Sequence, residues 1–107
     1  TIDYNKKQID GEIDDVLPLG DLSAKFEAFD WIVLEEKKGN DIYSISKILN
    51  KAKELTNNGK PIVILLHTEM GNGVDFMMGT HKWHGNAPND EQLEIALSQN
   101  TETLGDY

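Results

Sequence analysis

Two histidines in one short segment are the first residues of this sequence that can do chemistry. His81 and His84 lie three positions apart in THKWHG, with Trp83 between them and Gly85 after them. A neutral imidazole can ligate a metal, donate a hydrogen bond to a phosphate or shuttle a proton near neutral pH. The flanking glycines disfavour a helix, and the segment holds no carboxylate to complete a zinc site. The residues alone leave three interpretations open: a metal pair, a catalytic base with a neighbour, or two packed imidazoles.

A set of oxygen donors lies near the amino terminus, in DYNKKQIDG. Asp3, Asn5 and Asp10 offer carboxylate and amide oxygens. Such oxygens, together with a backbone carbonyl, are ligands that Mg²⁺ or Ca²⁺ accepts when phosphates also chelate the ion. From composition alone, the same residues also describe a solvated turn.

A glycine-rich turn, HTEMGNGVDFM, follows the most apolar run of the chain. Gly71 and Gly73 would let the backbone approach a ligand closely, but the third glycine of a dinucleotide-binding loop is absent. A turn that needs positive φ therefore stays as the alternative. We predict that His67, which ends the apolar run, is a polar strand terminus.

The elements that must position these residues alternate between helix and strand. We predict a helix capped by Asp21, a strand Trp31–Glu36 buried on both faces, a helix capped by Asn40 or Asp41 that runs to about Asn57, and an interior strand Ile62–Thr68. The residues expected to face inward are Leu22, Phe26 and Phe29 in the first helix, and Ile42, Ile45, Ile48, Leu49, Ala52 and Leu55 in the second. Strand, helix and strand form a βαβ unit, which predicts a parallel sheet with a right-handed crossover.

The irregular segment from residue 69 to residue 88 comes directly after the interior strand. In open α/β sheets, ligands bind beyond the carboxyl ends of the strands, so this position favours a functional role. Regular structure returns at Asn89, which with Gln92 predicts a capping box and a final helix to about Gln99. Leu93, Ala96 and Leu97 are expected to face inward in that helix.

Composition restricts the classes of partner. The 107 residues are enough for one modest core, and the formal net charge of −9 without a lysine cluster argues against nucleic acid. No apolar run is long enough for a membrane span, so we expect no membrane partner. The absence of cysteine suits a reducing compartment, and we expect the cytoplasm. The chain begins at Thr1 without methionine, and we interpret this as a missing upstream part.

In order, the segments DYNKKQIDG, IVILLHTEMGNGVDFM and THKWHGNAPND resemble the thiamine-diphosphate-binding half of transketolase. More narrowly, they resemble the split type, in which this half is a separate amino-terminal subunit. The resemblance implies an α/β fold, a partial Rossmann-like parallel sheet with helices on its faces, in which residues 1–107 form one partial domain. It also implies transfer of a two-carbon ketol unit between sugar phosphates, with thiamine diphosphate and Mg²⁺ as cofactors. The implied partner is a carboxyl-terminal transketolase half or subunit.

The same resemblance assigns roles to three residues. The family's diphosphate-binding motif opens with Gly-Asp-Gly and closes at an asparagine, which matches Asn5. Asn5 and the carbonyl of Lys7 are thus the expected Mg²⁺ ligands, and Asn5 and His81 the expected cofactor-binding residues. His81 matches a catalytic histidine beside the diphosphate and the sugar, whereas His84 is assigned to loop structure. The opening Gly-Asp-Gly and the family's activating glutamate are missing here, so we expect the isolated chain to be inactive.

Three rival interpretations remain. The chain can be part of a deoxyxylulose-phosphate synthase, which shares the fold. It can also be a stand-alone binding or regulatory module, or a stable fragment without a function of its own. In each case an unpaired strand at the sheet's edge invites association, so we expect a homo-oligomer.

Overall fold

The computed structural model describes residues 1–100, in which short strands and helices alternate. The strands are β1 (Ile2–Asp3), β2 (Lys7–Gln8), β3 (Gly11–Glu12), β4 (Ile32–Glu36) and β5 (Ile62–Leu66). The helices are α1 (Ile13–Val16), α2 (Leu22–Ala28), α3 (Ile42–Glu54) and α4 (Asp90–Gln99).

A parallel sheet of three strands in the order β1-β5-β4 lies at the centre of the molecule. Strand β5 is the middle strand: Leu65 is in register with Ile2 of β1, and Ile64 with Leu34 of β4. Because β5 has neighbours on both sides and helices near its faces, all of its residues can be apolar. The α/β class, the parallel sheet and the interior position of β5 are confirmed.

The largest core cluster lies between the sheet and α3. Leu34, Ile64 and Ile48 are its buried members, each at most 7% exposed. Side chains alternate along β5, so Val63 and Leu65 point to the other face, where they are 3% and 1% exposed. Three of the seven buried hydrophobic residues within residues 1–100 therefore belong to this one five-residue strand, which is buried on both faces.

Helix starts agree with the sequence signals. The carboxylate of Asp41, not Asn40, caps α3 by accepting a hydrogen bond from the N–H of Ser44 at 2.8 Å. Asp21 caps α2 in the same way, and Asn89 with Gln92 forms the predicted capping box of α4. Each cap joins residues three apart, so local sequence is enough to predict it.

Several inward-facing assignments were wrong. Of the apolar stripe of α3, Ile42 is 68% exposed and Leu49 47% exposed, and in α4 Leu97 is 63% exposed. Also exposed are Phe29 at 79% and Leu93 at 44%, while α3 ends at Glu54 rather than Asn57. The reason is that the sheet has only three strands within residues 1–100, which cover less surface than the apolar stripes offer.

The prediction that the strand Trp31–Glu36 is buried on both faces was also wrong. It begins at Ile32, and Leu34 is its one buried residue, because β4 is at the edge of the described sheet. No helix within residues 1–100 is long and apolar enough to cross a membrane.

Substitution of one buried leucine tests the role of β5. Leu65→Ala should lower the free energy of unfolding by about 2–5 kcal/mol, because it leaves a cavity under a side chain without solvent contact. The matched control Leu97→Ala, on the exposed face of α4, should cost less than about 0.5 kcal/mol. Urea unfolding followed by circular dichroism measures both. Equal losses in the two variants would contradict this account of the core.

Candidate functional site

The carboxyl ends of all three parallel strands open onto one cleft of about 730 Å³. Tyr4 and Asn5 follow β1, Lys37 follows β4, and His67 follows β5. The turn from residue 38 to residue 41, before α3, closes one side of the cleft. The cleft therefore lies where parallel α/β sheets bind ligands.

The segment after β1 folds into a tight hairpin that orients Asn5 and Lys7. The side-chain oxygen of Asn5 accepts a hydrogen bond from the N–H of Lys7 at 2.9 Å. Between them Lys6 has φ of 60°, a left-handed conformation that this turn requires. Strands β2 and β3 then pair in antiparallel register, with Lys7 opposite Glu12. Asn5 and Lys7 are thus held on the same wall of the cleft.

The strand register places the backbone carbonyl of Lys7 outside the hydrogen bonds between β2 and β3. The carbonyl of Lys6 accepts a hydrogen bond from the N–H of Ile13 at 2.9 Å, and these two residues come directly before Lys7 and after Glu12. Bonded and non-bonded pairs alternate in antiparallel strands, so Lys7 and Glu12 are a non-bonded pair. The N–H and C=O of Lys7 consequently point to the side of the Asn5 amide. The Asn5 oxygen keeps one lone pair, so two oxygens there can ligate a hard cation.

The side chain of Lys7 is already engaged. Its ammonium lies 2.5 Å from a carboxylate oxygen of Glu12, and the Lys7 side chain is only 11% exposed. This pairing leaves the backbone of Lys7, rather than its charge, available to a ligand. No group of three or more His, Cys, Asp or Glu side chains within residues 1–100 is arranged to hold a metal.

His81 and His84 lie in a second cleft of about 370 Å³, to which Ile9 also contributes. Ile9 is in the turn between β2 and β3, so the hairpin that carries Lys7 also reaches the histidine loop. The structure thus brings Asn5 and Lys7 together in one cleft and His81 and His84 together in another. The N–H of His84 donates to the carbonyl of His81 at 3.0 Å, which makes the pair part of a turn rather than a helix.

The long segment between β5 and α4 is held by specific contacts. The indole N–H of Trp83 donates to the carbonyl of Phe76 at 3.0 Å, and their rings pack edge to face at 5.2 Å. Gly79 donates its N–H to a carboxylate oxygen of Glu69 at 2.7 Å. Asp75 and Gln99 exchange two bonds of 2.8 Å each, which attach α4 to the segment. Asp75 is thereby paired with an amide instead of a histidine.

The conformation of the turn requires glycine at position 71. Its φ is 75°, and a Cβ there would lie 2.6 Å from the Cβ of Met77 and 2.9 Å from the Met77 backbone. The close approach that glycine allows is therefore made by the protein's own chain. For Gly71, this accounts for the positive-φ turn that the sequence left as an alternative.

A cluster at the ends of β4 and β5 was missed by sequence reasoning. The ammonium of Lys37 lies 2.6 Å from a carboxylate oxygen of Glu35 and 2.9 Å from Nε2 of His67. The ring of His67 packs edge to face on Tyr4 at 5.3 Å. His67 comes directly after β5, which ends at Leu66 rather than at the predicted Thr68, and it is also part of this network. Its partner Lys37 lies thirty residues away in sequence, so no local signal identifies the contact.

Gly39 joins the same two strand ends. Its N–H donates to the carbonyl of His67 at 2.9 Å, and a Cβ at Gly39 would lie 2.5 Å from that carbonyl oxygen. The side chain of Asn40 accepts from the N–H of Glu69 at 2.7 Å. These bonds fix the turn before α3 against the segment after β5. In the sequence, this turn is indicated by Gly39, Asn40 and Asp41 between a strand and a helix.

A parallel sheet with a polar cleft at its carboxyl edge defines an α/β ligand-binding domain. The profile of the family described as "Transketolase, thiamine diphosphate binding domain" matches residues 1–103. The chain therefore belongs to the thiamine-diphosphate-binding family of transketolase domains.

Curated relatives agree with this membership. The chain is 37% identical over 97 residues to an apulose-4-phosphate transketolase subunit of Actinobacillus succinogenes, and 35% identical over 103 residues to the subunit of the same name in Phocaeicola vulgatus. These matches cover 91% and 96% of this chain but 34% and 36% of the relatives. Transketolase 1 of Escherichia coli is 30% identical over 91% of this chain and 14% of its own length. The chain thus spans about a third of the subunits that it matches.

A solved structure supports the fold. The crystal structure of the transketolase of Pichia stipitis in complex with sedoheptulose-7-phosphate superposes with a TM-score of 0.79 at 28% identity. The match covers 91% of this chain and 14% of that one. The arrangement of β1, β5, β4 and their helices is therefore that of a transketolase domain.

The Glu35 network predicts a stability change at acid pH. Hydrogen bonds from the Lys37 ammonium, first, and the Ser23 hydroxyl lower the pKa of the Glu35 carboxyl from 4.5 to about 2. A lowered pKa means that the carboxylate stabilises the folded state above pH 4.5 and that this contribution is lost as the pH falls toward 2. Because the Glu35 side chain is 35% exposed, solvent screening reduces the effect to about 0.5 kcal/mol.

Urea unfolding of the wild type and Glu35→Gln at pH 6, 4 and 3 measures this contribution. The stability difference should be full at pH 6 and shrink at pH 4 and 3. Lys37→Gln, which removes the main donor, should weaken the same pH dependence. A difference that stays constant between pH 6 and 3 would show that the folded and unfolded pKa values of Glu35 are equal.

Proposed function

We propose that residues 1–107 are the distal part of the diphosphate-binding domain of a transketolase, of the type with a separate amino-terminal subunit. The names and lengths of the relatives support this proposal, because the matching subunits are about three times as long. The observation that carries it is the hydrogen bond from the N–H of Lys7 to the Asn5 amide oxygen, because in this antiparallel register the Lys7 carbonyl points to the same side of the hairpin. The whole enzyme would transfer a two-carbon ketol unit between sugar phosphates.

The proposed cofactors are thiamine diphosphate and Mg²⁺, and the donors present fit them. Amide and carbonyl oxygens are the hard ligands that Mg²⁺ selects when phosphates supply the remaining positions. In a chain with net charge −9, such a metal also explains how a diphosphate is accepted. When bound, thiamine diphosphate supplies the covalent chemistry, while the protein binds, orients and moves protons. Asn5 and the Lys7 carbonyl would hold the metal.

His81 is the proposed catalytic and cofactor-binding histidine. Its turn with His84 gives the imidazole a fixed backbone, and its half-buried position in the second cleft allows contact with a ligand. An imidazole there would donate a hydrogen bond to a phosphate or sugar hydroxyl and exchange a proton with the bound ligand. His84, which is exposed, would serve the loop.

The proposed macromolecular partner is a carboxyl-terminal transketolase subunit. Leu93 and Leu97 leave apolar surface on α4 that further protein can cover. The described sheet also has two edges, β1 and β4, which favour self-association of the isolated chain. The proposed compartment is the cytoplasm. The isolated chain would be inactive, because two metal ligands and one histidine are an incomplete site.

Calorimetry with thiamine diphosphate and Mg²⁺ tests the metal assignment. Binding is expected for the chain extended upstream by its coding sequence, and not for residues 1–107 alone. In the extended chain, Asn5→Ala should weaken Mg²⁺-dependent cofactor binding roughly 10- to 100-fold, because a charge-assisted ligand is lost.

Two controls separate this effect from folding. Lys7→Ala keeps its carbonyl, so it should retain most of the binding, and Asn50→Ala on the exposed face of α3 should retain all of it. If Asn5→Ala binds as tightly as Asn50→Ala, the metal assignment is wrong.

A histidine pair tests the catalytic role. In the extended chain combined with its carboxyl-terminal partner, His81→Asn should lower kcat for ketol transfer by about 10²- to 10⁴-fold, the usual contribution of a positioned acid or base. The matched variant His84→Asn should keep kcat within a few-fold of the wild type. Steady-state kinetics with sugar phosphates measure both, and equal kcat values in the two variants would refute the role of His81.

A further inference from the structure

Positive charge is concentrated at the large cleft although the chain is acidic. Four of the ten basic residues line this cleft but only three of the nineteen acidic ones. The four are Lys6, Lys7, Lys37 and Lys38. The remainder of the molecule is strongly negative, so the cleft is the place where an anion meets the least repulsion.

The acidic residues of the cleft all have partners within the protein. Glu12 pairs with Lys7 at 2.5 Å, and Glu69 accepts from the N–H of Gly79 at 2.7 Å. Asp41 accepts from the N–H of Ser44 at the start of α3. The cations are less well balanced, because no ion pair within residues 1–100 includes Lys6 or Lys38.

Lys37 and His67 are in direct contact at one end of this cleft. The Lys37 ammonium can only donate, so in this contact Nε2 of His67 is the acceptor. One bond of Lys37 goes to His67 and one to Glu35, which leaves its third N–H for a ligand. The His67 side chain is 22% exposed and packs on Tyr4, whereas the Lys37 side chain is 70% exposed, so its bonds to His67 and Glu35 are what position the Lys37 ammonium.

We infer that the end of the cleft formed by Lys37, Lys38 and His67 binds a phosphate dianion, free or carried as a monoester. Lys37 and Lys38 supply the charge-assisted donors, and His67 positions Lys37. This site differs from the Asn5–Lys7 wall, where backbone and amide oxygens are the proposed ligands of a cation. The inference does not depend on bound thiamine diphosphate, so it can stand or fall separately from the proposed function.

The three histidines make the test selective. Residues 1–107 are titrated with inorganic phosphate at constant ionic strength, and the ring C–H signals of His67, His81 and His84 are followed by NMR. The His67 signal is expected to shift in a saturable way while the other two stay in place. Chloride at the same ionic strength should produce no such shift. Parallel titrations with ribose 5-phosphate and with ribose distinguish a monoester ligand from free phosphate.

Charge-matched variants test the assignment to residues. Lys37→Gln/Lys38→Gln should weaken the phosphate-dependent shift of His67 at least about tenfold, because two cationic donors are removed. Lys47→Gln/Lys51→Gln removes the same charge from a different surface, next to Tyr43, and should leave the affinity unchanged. Lys38→Gln alone, which disturbs no ion pair within residues 1–100, guards against loss of folding and should give an intermediate effect.

The result that overturns the inference is equally specific. An unsaturable or absent shift of His67, equal shifts of all three histidines, or equal losses in the two double variants would each exclude a phosphate site at Lys37 and Lys38. Failure of the proposed function has a different signature, namely that the upstream-extended chain does not bind thiamine diphosphate and Mg²⁺ while the His67 response persists.

Discussion

The hydrogen-bonded position of β5 between β1 and β4 is the constraint on which the rest of the structure depends. The parallel register continues past the strand ends: Tyr4 donates its N–H to Leu66 at 2.8 Å, and His67 donates to Glu36 at 2.9 Å. Gly39 then donates to His67 from the turn before α3. These bonds place the residues after three separate strands around one opening. A shift of β5 by one residue would turn Val63 and Leu65 toward α3 and Ile64 away from it, so the packing on both faces would be lost and the register is strongly determined.

The hairpin after β1 depends on that register and adds a local constraint. Its left-handed residue, Lys6, is not a glycine, and such a conformation costs free energy for a side chain of this size. The Asn5–Lys7 hydrogen bond, the pairing with Glu12 and the bond from Ile13 to Lys6 offset that cost. Because several interactions fix this hairpin, its oxygens are already in position before a ligand binds. Pre-organisation of this kind reduces the entropic cost of binding a ligand.

The sequence predicted those features that depend on neighbouring residues. The five apolar residues of β5 and the caps at Asp21, Asp41 and Asn89 are local patterns, and all are present. The exposure of Ile42, Leu49 and Leu97 was not predictable, because a helix pattern shows which residues are apolar but not how wide the covering sheet is. The contact between Lys37 and His67 arises because Glu35 and Leu65 are in register across β4 and β5. Such a contact follows from the pairing of two strands, and the pattern of apolar residues within each strand does not predict which strands pair.

The two walls of the cleft offer different groups to a ligand: backbone and amide oxygens on the hairpin, and charged side chains at the ends of β4 and β5. On the hairpin wall, the ammonium of Lys7 is paired with Glu12, so Lys7 can offer its neutral carbonyl oxygen to the cation that we propose there, although Lys6 on the same wall has no ion pair within residues 1–100. At the ends of β4 and β5, Lys37 is paired with Glu35 and bonded to His67, whereas Lys38 has no ion pair within residues 1–100 and supplies the unbalanced positive charge of the phosphate site that we propose there. Two protein oxygens alone leave most of the roughly six positions around Mg²⁺ to other ligands. A metal on the hairpin wall would therefore be retained together with the phosphate oxygens that complete its coordination, and the affinities for metal and phosphate would be coupled.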